Sequence, residues 1–383
     1  MPYRAWFRPQ SVSGCWVQVD CDPVKDNSPG TCTRQTDLVF RSLLIASAVL
    51  VAASTTGFHF ASTAGQRISG STVVQSSERI DPSECNHPEP VIGRPAVLSV
   101  RIVHIDAGAV ALVNACISGA GPFPFVIDSG SSFSVISTQI SRRVHLHQAG
   151  ATERAAGIGC SANVVPERLS SWSVGGLALR PQGVYSASLP NLEPNRPLAG
   201  VIGSDVLSRF GSVRIDYQKQ TVSLGAPESG SPTANGILGP TSTPTPAQFV
   251  RNVRAEAELT VVARQGGVVA YAPIEFNGSG TQQFVVDTGA AVSIISPLLA
   301  RSLHLANAHR SVDFSGAFGC PVNLAEVKSG PWTLGSTSLP PQMVASIPAS
   351  GIKIAGVVGS DVLSRFGAVV IDYRAARILL ESG

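Results

Sequence analysis

The chain has 383 residues, enough for two domains of ordinary size. Hydrophobic residues make up 44% of it and charged residues only 14%, so a sizeable core is available. The net charge of +3, with no Lys/Arg stripe interleaved with aromatics, argues against a nucleic-acid partner. Gly (37) and Pro (27) stand beside much Val, Ser, Ala and Thr, a mixture that favours short strands and tight turns over long helices.

Residues 42–66 contain no Asp, Glu, Lys or Arg, and 43–53 (LLIASAVLVAA) are almost continuously apolar, with Arg41 just before them and Ser62-Thr63-Ala64 after. This is the pattern of a signal peptide, expected over 39–64. An uncleaved anchor is the rival, because residues 42–58 are at the lower limit for a spanning helix and Arg4, Arg8, Lys25 and Arg34 suit a cytoplasmic side. A buried core helix is the third reading. Residues 1–38 sit awkwardly before any such signal and are read as an extension whose translation is in doubt. Residues 65–95 are a spacer or pro-segment. The bulk of the chain is expected to work outside the cytoplasm, secreted, periplasmic or anchored.

The chain then repeats itself. FVIDSGSSFSVIS (125–137) returns as FVVDTGAAVSIIS (284–296), and GIGC (157–160) returns as AFGC (317–320). AGVIGSDVLSRFG (199–211) returns almost unchanged as AGVVGSDVLSRFG (355–367), followed in each copy by a strand ending in Ile-Asp-Tyr. The offset is 159 residues at the first landmark, 160 at the second and 156 at the third, so a whole domain was duplicated. The copies are placed at 96–226 and 252–383, joined by a Pro/Gly/Ser/Thr-rich linker over 227–251.

Each copy reads mostly as strand. In the second, strands are expected over 259–263, 268–276 and 283–286, then a short helix from Pro297, since proline suits a helix start. Another short helix is expected at Ser204-Asp205 and at Ser360-Asp361, with those side chains as N-caps.

In both copies an apolar strand runs into Asp-Ser/Thr-Gly. Gly130 and Gly289 allow a tight turn, so Asp128 and Asp287 project from strand ends, and Ser129 and Thr288 can hydrogen-bond backbone to stiffen it. One Asp-Thr-Gly is a weak signal. Two at matching places in duplicated β-rich domains are a strong one.

The two repeats resemble retropepsin-type lobes of the aspartic peptidases, in the tandem arrangement of bacterial members. The resemblance rests on Asp128-Ser-Gly-Ser131, on Asp287-Thr-Gly-Ala290, and on the downstream elements Val201-Ile202-Gly203 and Val357-Val358-Gly359. It covers both copies and leaves the first 95 residues unexplained. It implies an all-β, two-lobed acid-protease fold with Asp128 and Asp287 as the catalytic pair, no cofactor and no metal. The elements at 201–203 and 357–359 complete a ψ-shaped strand arrangement. Gly157, Ile158, Gly159 and Cys160 with Ala317, Phe318, Gly319 and Cys320 correspond to flaps covering a peptide or protein substrate. One chain supplies both aspartates, which implies a pseudo-symmetric monomer. The expected activity is endopeptidase. The alternative is a catalytically silent peptide-binding module of the same fold at the cell envelope.

Ser131 can donate toward its carboxylate and Ala290 cannot, an asymmetry expected to move activity toward weakly acidic or neutral pH. Four of the seven cysteines, Cys85, Cys116, Cys160 and Cys320, follow the apolar segment. The flap correspondence suggests a Cys160–Cys320 bridge, with Cys85–Cys116 as the second pair; small buried thiols at equivalent sites remain the alternative. Trp172 and Trp332 read as packing residues, Asp205 and Asp361 as caps, Asp216 and Asp372 as strand ends. The seven histidines show no ligand spacing, and no P-loop or Gly-x-Ser-x-Gly elbow is present.

Overall fold

A computed structural model of the protein describes residues 85, 95–105, 107–193, 196–225, 253–264, 266–347 and 354–382, with the backbone of 43–44, 51–52 and 89–90. The extension 1–38, the linker 227–251, and most of the signal or anchor segment 39–64 and of the spacer 65–95 lie outside the described residues. Among the described residues, no helix is long and apolar enough to cross a membrane.

Each copy is a curled sheet wound from one meander. In the first, Arg101–Ile105, Gly108–Ile117 and Ala120–Ile127 run antiparallel in turn. The middle strand, GAVALVNACI, is buried at every position but Asn114, which explains why its apolar residues run continuously instead of alternating. In the second copy Thr260–Arg264, Gly267–Phe276 and Thr281–Val286 repeat the meander, within one or two residues of expectation.

The strands after the meander shape the site. Ala120–Ile127 lies parallel to Gly200–Ile202, which also pairs antiparallel with Val135–Ser137. Thr281–Val286, Gly356–Val358 and Ile294–Ile295 do the same in the second copy. The chain leaves the strand bearing each aspartate, turns, and is pinned by a strand from about 70 residues later, so the turn cannot drift.

Short helices come next, at Thr138–Arg143 and Pro297–Ser302. The hydroxyls of Ser137 and Ser296 accept from the N–H of Ile140 and Leu299, both at 3.2 Å. The later helices, Ser204–Leu207 and Ser360–Leu363, are capped differently from expectation. Gly203 and Gly359 are the N-caps and make no side-chain cap bond, while Ser204, Asp205, Ser360 and Asp361 are already helical. The side chains of these four residues have tertiary partners, which outcompete local capping.

The lobes join through a six-stranded sheet ordered 253–258, 377–381, 368–372, 212–216, 221–224, 96–99. At its centre Ser212–Asp216 pairs antiparallel with Ala368–Asp372, one strand from each copy, with Val213 opposite Ile371. Arg214 ties this seam, donating to Asp216 within its strand and to Glu381 of the other lobe, each at 2.9 Å. One apolar core runs beneath both lobes, from Phe125 and Trp172 to Phe284 and Trp332.

Phe276 is fully buried, stacked on Trp332 with ring centroids 5.5 Å apart and tilted against Phe284 at 5.6 Å. Truncating it to Ala is expected to cost the second lobe about 3–5 kcal/mol, read as a fall in the urea midpoint with unchanged slope.

Candidate active site

Asp128 and Asp287 sit one residue past the ends of the strands Ala120–Ile127 and Thr281–Val286 and are wholly buried. Their backbone N–H groups donate to Ile202 O and Val358 O, both at 3.0 Å, so the predicted support strands hold each aspartate by its main chain. Oδ1 of Asp128 accepts from the N–H of Gly130 (2.9 Å) and Ser131 (3.0 Å). Oδ1 of Asp287 accepts from Gly289 and Ala290, both at 2.9 Å.

A Cβ placed on Gly130 would collide with the Asp287 carboxyl, and one on Gly289 with that of Asp128. Each carboxyl group therefore lies against the opposite lobe's turn, with Oδ2 on that side. Neither glycine has positive φ. The backbone freedom expected of them is not what the site uses; space for the other aspartate is.

Ser129 and Thr288 lock the two turns together. Ser129 Oγ donates to Val286 O (2.8 Å) and accepts from Thr288 N–H (3.1 Å). Thr288 Oγ1 donates to Ile127 O (2.9 Å) and accepts from Ser129 N–H (3.1 Å). The sequence predicts that these hydroxyls stiffen their own turns; they bridge the lobes instead.

The expected asymmetry at Ser131 is also corrected. Its hydroxyl donates to Phe133 O at 2.7 Å, away from the carboxylate. Both aspartates receive the same pair of backbone donors, and the Ser131/Ala290 difference gives no ground for a shifted pH range.

Burial holds the Asp287 carboxyl well above the ordinary aspartate range. The charge and the side-chain hydrogen bond of Asp128 add to this, against the pull of the Ala290 and Gly289 N–H groups. Two carboxyls in one dry site share a proton instead of both ionising, a rule for which the aspartic protease dyad is itself the standard example.

Several residues around the pair carried no clear functional signal. Ser204 Oγ donates to Val268 O and accepts from Val268 N–H (3.1 Å), and Ser360 Oγ accepts from Ala109 N–H (3.0 Å), so each lobe's short helix clasps the other's hairpin. Asp205 accepts from Ser134 Oγ (2.8 Å) and Gln182 (3.0 Å), and Asp361 from Ser293 Oγ (2.7 Å) and Gln342 (2.6 Å). Burial raises both carboxyls, opposed first by those serine hydroxyls. Tyr217 and Tyr373 directly follow the central strands, with buried hydroxyls that have no hydrogen-bond partner among the described residues. Burial raises both phenols, and the charges of Asp287 on Tyr217 and of Asp128 on Tyr373 add to it. The near-identity of GSDVLSRFG and of Ile-Asp-Tyr between copies was the available signal.

The flap segments are hairpin tips. Glu153–Ala156 and Ser161–Leu169 carry the first, Asn307–Ser315 and Pro321–Lys328 the second. Gly157 N–H donates to Cys160 O (2.8 Å) and Gly316 N–H to Cys320 O (2.7 Å), and the tips meet where Ala317 N–H donates to Ile158 O (3.2 Å). Disulfides join Cys160 to Cys320 and Cys85 to Cys116. Trp172 and Trp332 are buried, their indoles donating to Arg180 O (3.0 Å) and Pro340 O (2.9 Å). Among the described residues, no group of three or more His, Cys, Asp or Glu could hold a metal.

Replacing Thr288 by Ala strips partners from two buried backbone groups and is expected to destabilise the protein by about 2–4 kcal/mol in urea unfolding; Ser at this position retains most of that stability. The raised Asp287 also links stability to pH. An unfolded aspartate titrates near about 3.9, so this contribution is full below about pH 4 and is lost as pH rises through the folded value. Asp287→Asn is expected to flatten that decline, leaving the variant more stable than wild type at neutral pH in a pH series of thermal unfolding.

A family profile described as aspartyl protease matches residues 113–206 and 272–362, one segment in each copy. Basic 7S globulin from soybean is a similar solved structure, 11% identical over 76% of this chain and 95% of that one, with a TM-score of 0.34. A search of curated proteins finds no match. The two matched segments carry the two Asp-Ser/Thr-Gly turns, and the duplicated β-lobes that bring these turns to one buried carboxyl pair have the two-lobed aspartic protease fold.

Proposed function

We propose that the protein is an aspartic endopeptidase that hydrolyses peptide bonds with a water activated between Asp128 and Asp287. The observation that carries this reading is the carboxyl pair itself. Each Oδ1 is engaged by two backbone N–H groups, and each Oδ2 faces the other lobe's turn. That leaves the two Oδ2 sides to handle the proton the pair shares.

A peptide lying between the dyad and the flaps presents its carbonyl to the protonated carboxyl, which donates to the oxygen as charge develops there. The ionised carboxyl takes a proton from water, and that water attacks the carbonyl carbon. The pair titrates as a unit, so neither aspartate is assigned a fixed role. The same proton later serves the leaving amine. Catalysis needs one proton on the pair, so the rate falls as pH rises through the value that burial and mutual repulsion elevate.

The two disulfides accord with an extracytoplasmic, oxidising location. Because one chain supplies both aspartates, the working unit is a pseudo-symmetric monomer acting on peptide or protein.

Hydrolysis of a mixed peptide library from about pH 3 to 8, with and without thiol reductant, tests this. Wild type is expected to cleave, and Asp128→Asn and Asp287→Asn each to lose ~10³-fold or more of the rate. No cleavage by folded protein under any of these conditions would favour the silent peptide-binding module.

A further inference from the structure

The two disulfides sit in different surroundings. Cys85 and Cys116 are 9% and 5% exposed, with their bridge enclosed against the first lobe, whereas Cys160 and Cys320 are each only partly buried, at the flap tips. A thiolate in solution can reach the second bridge far more easily than the first.

The flap bridge also stands where opening must occur. Ile158 of the first flap is buried among Ile294, Ile347 and Val357 of the second lobe. Ala317 and Phe318 of the second flap are buried among Leu192, Leu198 and Val201 of the first. Gly159 lies against Val322, and Gly319 against Leu189 and Pro190. Both aspartates are fully shielded beneath. A small cavity of about 10 Å³, room for one water, lies beside Ile158.

Substrate therefore reaches the dyad only when Ile158 and Phe318 withdraw from opposite lobes. With Cys160 and Cys320 joined, their Cα atoms 6.5 Å apart, neither tip can retreat without dragging the other.

Building on the peptidase reading, we propose that Cys160–Cys320 is a thiol-exchange site that gates the cleft: bridged, the flaps stay closed over the dyad, and reduction by a dithiol frees them to part. A thiolate of the dithiol attacks one sulfur of the bridge. The S–S bond breaks, and its electron pair leaves on the other cysteine, which takes a proton. The second thiolate of the dithiol then attacks the mixed disulfide, releasing the remaining cysteine to be protonated and closing the reductant into its own disulfide. Two electrons and two protons pass to the protein.

The test compares the full chain in three forms: bridged wild type, wild type treated with dithiothreitol, and Cys160→Ser/Cys320→Ser. Peptide mapping tracks both bridges, amide hydrogen exchange by mass spectrometry reads residues 157–160 and 316–320, and library cleavage is measured in parallel. The flap bridge is expected to reduce at a dose that spares Cys85–Cys116. Flap-tip amides are expected to exchange at least ~10-fold faster in both unbridged forms, and cleavage to rise at least ~10-fold. Equal flap exchange in bridged and unbridged protein overturns the gate, as does bridged wild type cleaving as fast as the unbridged forms or both bridges reducing at one dose. Reduced wild type supplies the same comparison should the double variant fail to fold. Faster exchange without any cleavage would uphold the gate and overturn the peptidase reading instead.

Discussion

The reciprocal hydrogen bonding of Ser129 and Thr288 is the constraint on which the site depends. Each hydroxyl donates to a backbone carbonyl of the opposite lobe and accepts a backbone N–H from it, so four buried bonds tie two turns that are 159 residues apart in sequence. Neither turn satisfies its polar groups without the other. The carboxyls one residue away are consequently held face to face, despite a repulsion that would otherwise drive the lobes apart.

That repulsion is met structurally in three ways. Backbone N–H pairs stabilise one oxygen of each carboxyl, and glycine at Gly130 and Gly289 gives the opposing carboxyl the space a side chain would fill. The lobes are also fastened below by the paired strands Ser212–Asp216 and Ala368–Asp372, and at the sides by Ser204 and Ser360. A raised Asp287 is what remains after these devices have acted, and it is the property that proton sharing requires.

The same duplication that builds the dyad builds its cover. Because the flaps are copies, their cysteines fall at matching tips and join, and the apolar residues of each tip are buried with those of the opposite lobe. A closed cleft results from symmetry together with one covalent bond.

Much of this was legible in the chain. The duplication and the two Asp-Ser/Thr-Gly turns are read from local strings that recur at a near-constant offset, because a copied domain keeps its turn chemistry and strand pattern; the ψ-forming elements and the flap cysteines are read through the resemblance to retropepsin lobes. The short helix from Pro297 is read from a proline at its start, whereas the capping serines Ser137 and Ser296 emerge only in the structure. What tertiary structure alone decided is where hydroxyls, carboxylates and glycines of ambiguous role are used. Ser129 and Thr288 reach across lobes, and Ser131 turns away from its aspartate. Asp205 and Asp361 bind serine and glutamine instead of capping, and Gly130 and Gly289 provide space for the opposing carboxyl. Such short polar groups have several local partners of similar energy, and the choice among them falls to whichever buried group of a distant segment would otherwise go unsatisfied.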